Sequence, residues 1–134
     1  MGEQKDTPMD DTITLTIPSS PAYRGVATLV LGGVGSRLDL PYERTDDLQL
    51  AVLSLLDATK ANEVAIEISA QDGRIGVSVG PLRDGAEADD GLMLVLRRLA
   101  DRVEPGRRGE DAWMTVYVER DESGGEPQPP SSGT

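Results

Sequence analysis

The sequence has no cysteine and no histidine. Without cysteine there is no disulfide framework and no thiolate metal site. Without histidine the commonest general base, the commonest metal ligand and the usual pH switch are all missing, and neither a Ser-His-Asp nor a Cys-His set can be assembled. Lysine occurs only at Lys5 and Lys60, so no Schiff-base or phosphate-loop lysine is evident. Phenylalanine is absent and there is a single tryptophan, which leaves Leu, Val, Ile and Ala to fill the interior. Positive charge is scarce: 13 Lys and Arg face 24 Asp and Glu, a formal net charge of −11. Such a surface repels nucleic acid and anionic membrane, which argues against a DNA, RNA or lipid-surface role. No apolar run is long enough to span a bilayer, and no signal-peptide pattern opens the chain, so a soluble cytoplasmic protein is expected. At 134 residues the length suits one domain, and an apolar fraction of 37% suits a modest core.

What is present reads as alternating strands and helices. Residues 1–11 are polar and expected to be a mobile segment, residues 12–118 to be the folded domain, and residues 119–134, rich in Pro, Gly, Ser and Glu, to be a disordered tail. Thr12 to Ile17 alternates Thr with Ile and Leu, a half-buried strand that Pro18 ends. Ser20 is a candidate cap, and Pro21 is tolerated in the first turn of a helix over Ala22 to Leu38, with Val26, Leu29, Val30 and Val34 on one face. The strongest helix runs from Thr45 to Lys60, with Leu48, Ala51, Val52 and Leu55 on one face, Thr45 as candidate cap, and Asp46 and Asp47 where the helix dipole favours negative charge. Glu63 to Ser69 and Arg74 to Val79 form a hairpin about Asp72-Gly73. Gly80 to Ala88 reads as a loop. A short helix follows Asp89 and Asp90 with Leu92, Val95, Leu96 and Leu99 in register. Asp101 to Gly109 reads as a polar connection with a brief edge strand at Arg102 and Val103, and Ala112 to Val118 as the closing strand.

Two features invite a chemical reading. The run Gly32-Gly33-Val34-Gly35-Ser36 contains enough glycine to cradle a phosphate, but it sits late in a helix and no lysine follows it, so close helix packing is the better account. Arg97 and Arg98, with Arg102, Arg107 and Arg108 after them, are the one basic cluster. Charge compensation at a helix C-terminus explains them; a docking patch for an acidic partner segment is the alternative.

The order strand, helix, helix, hairpin, loop, helix, strand, together with Asp46-Asp47-Leu48-Gln49-Leu50-Ala51-Val52 and the run Gly91-Leu92 to Val103-Glu104, resembles the anti-sigma-factor serine-protein kinase family. That family is a branch of the GHKL (Bergerat-fold, histidine-kinase-like) ATPases. The resemblance spans about Ile13 to Val118. It implies an α+β fold, a two-layer α/β sandwich in which three helices cover one face of a mixed, mostly antiparallel sheet. It also implies where an ATP site would lie. The family's catalytic Glu falls at Ser54 and its metal-binding Asn at Ala58. Its adenine-binding Asp has no counterpart in register after the hairpin; Asp84-Gly85 is at best a shifted remnant, and Gly91 a further nucleotide-contact candidate. Glu87, Asp89 and Asp90 crowd the helix start that should present N–H groups to phosphate.

The expected function is therefore that of an anti-sigma-factor-like binding module of a partner-switching system. It would need no cofactor or metal and would engage a sigma factor, an anti-sigma antagonist or a paralogue. Leu50, Leu53, Arg97 and Arg98 are candidate partner contacts, and a homodimer or heterodimer is expected. One alternative is an active serine-protein kinase using ATP and Mg²⁺; another is an unrelated small α/β structural or ligand-binding domain.

Overall fold

The computed structural model describes residues 12–71 and 73–120. Five strands form one sheet in the order β1-β2-β3-β5-β4, and every pairing is antiparallel. The strands are β1 (Thr12–Pro18), β2 (Glu63–Gln71), β3 (Arg74–Leu82), β4 (Arg102–Arg108) and β5 (Asp111–Glu119). The helices are α1 (Arg24–Arg37), α2 (Tyr42–Leu56) and α3 (Asp90–Leu99). This is the two-layer α+β sandwich, with the expected mixed sheet narrowed to an antiparallel one.

Period-two alternation gives the sheet two unlike faces. One row across the helix-covered face runs Leu15, Ile66, Val79, Met114, Pro105; the next runs Ile13, Ile68, Val77, Val116, Val103. Leu48, Ala51, Val52 and Leu55 of α2 are fully buried against this face. Each large side chain so buried contributes about 1.5–3 kcal/mol. α1 packs along one side of α2 and α3 along the other, with α3 also against β4.

The uncovered face is polar and small at its centre, where the Ser78 and Thr115 hydroxyls lie 2.7 Å apart. Its two aromatic residues each lie over a glycine of β3. A Cβ on Gly76 would sit 2.7 Å from the Tyr117 ring, and one on Gly80 would strike the Trp113 ring. Arg74 stacks 4.6 Å above Tyr117 and Arg108 3.8 Å above Trp113. From there Arg108 reaches Glu67 on β2 with two hydrogen bonds of 2.7 and 2.8 Å.

Several expected boundaries move. The central helix starts at Tyr42, directly after Pro41, and ends at Leu56 rather than Lys60. Pro41 is extended and pre-set for the turn into the helix, so Thr45 is not a cap; it lies inside the helix against Gly35 of α1. Asp46 and Asp47 fall in the second turn, where Asp47 pairs with Arg44 at 3.0 Å, and Glu43 holds the first-turn position. The presumed loop after Val79 is strand as far as Leu82, followed by a 3-10 turn at Ala86–Ala88. β4 is a full seven-residue strand, because pairing with β5 outweighs the poor strand propensity of Pro105 and Gly106. Glu119, placed in the tail on sequence grounds, is the last residue of β5. Ser20 does cap, accepting from Ala22 N–H at the 3-10 turn Pro21–Tyr23 that leads into α1. Gly73, at φ +78°, makes the hairpin turn; Asp72, residues 1–11 and residues 121–134 lie outside the described residues.

The glycines of α1 serve packing. A Cβ on Gly35 would lie 2.5 Å from Thr45 Oγ1, and one on Gly32 would lie 3.2 Å from Gln49 Nε2. That close approach lets Gln49 donate from Nε2 to the Thr28 carbonyl at 2.9 Å.

Candidate functional site

The positions singled out from sequence gather around the C-terminal end of α2 and the N-terminal end of α3. Ser54 lies in the last full turn of α2, and its hydroxyl donates to the Leu50 carbonyl one turn back, at 3.0 Å. That bond is internal to the helix and aims the hydroxyl at its own backbone. Ala58 is beyond the helix, which closes at Asp57. Ser54 and Ala58 therefore do not stand side by side on one helical face. The Ala58 side chain is 2% exposed, and its carbonyl accepts from Arg83 N–H at 2.8 Å. Thr59 Oγ1 donates to the Pro81 carbonyl at 2.9 Å, and a bridge joins Thr59 to Leu82. The end of α2 is thus sewn to the end of β3 by backbone and hydroxyl bonds.

Charged pairs extend this seam. Lys60 Nζ lies 3.1 Å from Asp111 and 3.8 Å from Asp84. The hydrogen bond that the Lys60 ammonium donates to Asp111 is the main reason its pKa is held above its ordinary range. Asp84 is largely exposed, and Gly85 takes the left-handed φ of +84° that the turn into the 3-10 segment requires. Arg83 pairs with Asp89. Asp89 is the N-cap of α3, its Oδ1 accepting from Leu92 N–H at 3.0 Å. This N–H bond first, and then the Arg83 charge, hold the Asp89 carboxyl below the usual range. Asp90 adds a second acidic side chain in the first turn. Gly91 is in the same turn, its Cβ position 3.5 Å from Asp89 Oδ1, so it faces a carboxylate rather than open space.

Arg83 was not singled out from the sequence, although it links Ala58 to Asp89 and so joins two of the predicted positions. A lone arginine in a loop carries no spacing signal. Arg44 was missed because the central helix was expected to start only at Thr45, whereas it starts at Tyr42. It bridges Asp47 at 3.0 Å and Asp101 at 2.6 Å, and Asp101 in turn accepts from Glu119 N–H at 2.7 Å.

The remaining predicted contacts lie elsewhere. Leu50 is exposed on α2, while Leu53 is half-buried against the core. Arg97 and Arg98 are exposed in the last turn of α3, where the dipole favours cations. The basic run does not form one patch. Arg102 pairs with Glu104 at 2.6 Å, Arg107 donates to the Glu110 carbonyl, and Arg108 crosses the open face to Glu67. Strand alternation scatters residues that are neighbours in sequence. Among the described residues no group of three or more acidic side chains is placed to hold a metal ion, and no helix is long and apolar enough to cross a membrane.

No protein-family model matches the chain. Curated relatives do. It is 32% identical over 109 residues to the serine-protein kinase RsbW of Listeria innocua, covering 79% of this chain and 68% of the relative. The chain belongs to the RsbW serine-protein kinase family. The RsbW of Listeria monocytogenes serotype 4a is 33% identical over 110 residues, with the same coverage of 79% and 68%. The RsbW of Bacillus subtilis is 32% identical over 84 residues, 60% of this chain and 51% of its own length. Membership of the RsbW family removes the reading of an unrelated α/β domain and agrees with the resemblance carried by the α2 and α3 segments.

Proposed function

We propose that this protein is a regulatory binding module of the RsbW family. It keeps the family scaffold to engage a protein partner, of the kind of a sigma factor, an antagonist or a paralogue, and transfers no phosphate. The observation that carries the reading is the start of α3, where the Asp89 carboxylate already accepts from Leu92 N–H and pairs with Arg83. A helix N-terminus binds phosphate through free N–H groups and a positive dipole end. Here a fixed carboxylate, with Asp90 beside it, stands in the same field and opposes an incoming triphosphate.

Two further mismatches with a magnesium nucleotide support the reading. Activating a hydroxyl needs a base within hydrogen-bond reach, and Ser54 is neither a base nor free of its own helix. Holding Mg²⁺ calls for an oxygen ligand, and Ala58 offers only a methyl, with its carbonyl engaged by Arg83 N–H. The second reading, an active ATP-dependent serine-protein kinase, rests on its relatives being serine-protein kinases.

Calorimetric titration with Mg-ATP separates the two. No heat of binding is expected for the wild type, and none for Ser54→Glu/Ala58→Asn, because both retain Asp89. Micromolar binding by the wild type would overturn the proposal.

A further inference from the structure

The uncovered face of the sheet holds hydrogen-bond donors that no described residue accepts from. Trp113 and Tyr117 stand on β5 with Thr115 between them, and Thr115 meets Ser78 of β3. Four residues of strand set the two aromatics about 14 Å apart. Arg108 stacks on Trp113 and Arg74 on Tyr117, so rings and arginine stems wall a saddle whose floor is the hydroxyl pair. The Trp113 indole N–H has no hydrogen-bond partner among the described residues and is not buried. Ser78 and Thr115 share one bond, which leaves the second hydroxyl proton to donate elsewhere. Trp113, Thr115 and Tyr117 are only half-buried, and no described element crosses them. A site of this kind, aromatic walls with donors and few acceptors, suits a proline-rich segment, which has carbonyls to offer and few N–H groups.

We infer that the occupant is this chain's own segment Pro127-Gln128-Pro129-Pro130, docked in the saddle as a polyproline helix. The reach is sufficient. Arg120 N–H donates to the Gly73 carbonyl at 2.7 Å, so the chain leaves beside the hairpin turn, at the Tyr117 end of the saddle. Asp121 to Glu126 then spans up to about 20 Å, and Gly124-Gly125 lets it reverse. Returning over β5, Pro127 falls beside Tyr117 and Pro130 toward Trp113. The four residues cover about 9 Å as a polyproline helix, which fits between the two rings. Their carbonyls accept from the Trp113 indole and the spare hydroxyl. Charge favours the same path: Asp121, Glu122 and Glu126 pass Arg74 and Arg120 on the way. The segment has too little apolar content to fold by itself, so order in it requires a surface. Tethering gives it a high effective concentration at this one, ahead of any proline-rich segment from another protein. The docking does not depend on the nucleotide reading.

The test keeps the full chain and reads Trp113, the only tryptophan. Pro127→Ala/Pro129→Ala/Pro130→Ala is expected to shift its emission maximum to the red and to steepen its quenching by acrylamide. The circular dichroism melt should stay as it is, because these residues lie outside every described strand and helix. A nitroxide spin label on Ser131→Cys then locates the segment, since the native chain has no cysteine to compete for the label. Amide signals of Ser78 and Thr115 are expected to broaden, those of Leu50 and Val95 in the helix layer to stay sharp, and the proline variant to sharpen the first pair again. Four results would each overturn the proposal. One is emission and quenching that the proline variant leaves unchanged. Another is broadening that is equal on both faces or confined to the helices. A third is broadening that the proline variant does not relieve. The last is an effect that fades on dilution, which would put the segment on a second copy instead.

Discussion

Two glycines of α1, two residues apart, should respond to the same substitution with opposite sign. Gly33→Ala places a methyl with nothing within 4 Å, whereas Gly35→Ala places one 2.5 Å from Thr45 Oγ1, 3.1 Å from Cγ2 and 3.3 Å from Cβ. Alanine is better than glycine inside a helix by about 0.8–1.0 kcal/mol, and that gain applies at both sites. At Gly33 it stands alone. At Gly35 the threonine is β-branched and belongs to a packed helix, so it has little freedom to move aside. Overpacking of this kind costs about 1–3 kcal/mol, which outweighs the propensity gain and leaves a net loss of about 1 kcal/mol. In a domain of this size about 1 kcal/mol moves the melting temperature by about 4–8 °C. Thermal unfolding by circular dichroism should therefore show Gly33→Ala melting above the wild type and Gly35→Ala below it. Adding Thr45→Ala to Gly35→Ala removes the obstructing atoms and should recover most of the loss relative to Thr45→Ala alone. If Gly35→Ala melts as high as Gly33→Ala, the close α1–α2 approach is wrong, and with it the account of this glycine run as packing.

Stability should fall in acid through identifiable carboxylates. Asp89 is held below its ordinary pKa by the Leu92 N–H and Arg83, and Glu67 by the two hydrogen bonds from Arg108. A lowered folded pKa gives a contribution that is fully present above the unfolded value, about 4, and that is lost as pH falls through the folded value. Urea unfolding from pH 7 down to pH 3 should show a shallower acid decline for Asp89→Asn/Glu67→Gln than for the wild type; identical slopes would remove these two groups from the account. On the open face, Gly80→Ala pushes a methyl into the Trp113 ring and should cost about 1–3 kcal/mol. Trp113 is the only tryptophan, so a displaced ring should also shift the fluorescence maximum; an unchanged spectrum and unchanged unfolding midpoint would contradict the stacked arrangement.

The sequence by itself determined most of the strands and helices and the buried faces of α2 and β2, because apolar spacing of two or about 3.6 residues is a local property. It did not determine the buried faces of α1 and α3, where Val26, Leu29 and Val95, expected in register, are exposed and Ala27, Leu31 and Met93 are buried, because the helix each packs against decides which side turns inward. Leu48, Ala51, Val52 and Leu55 in α2, and Val64, Ile66 and Ile68 in β2, are buried as that spacing requires. The sequence also carried the resemblance that the RsbW relatives bear out, since a run such as Asp46 to Val52 needs no tertiary information to be matched. Tertiary structure decided what depends on partners distant in the chain. β4 is a full strand because β5 pairs with it, and the arginines that are close in sequence separate because β4 sends Arg108 across the sheet to Glu67. Ala58 leaves α2 because Arg83, 25 positions on in the sequence, takes its carbonyl, and Asp89 is both cap and ion-pair partner only once that same Arg83 is brought to it. Local pattern sets where a side chain points; only the assembled layers set what it meets.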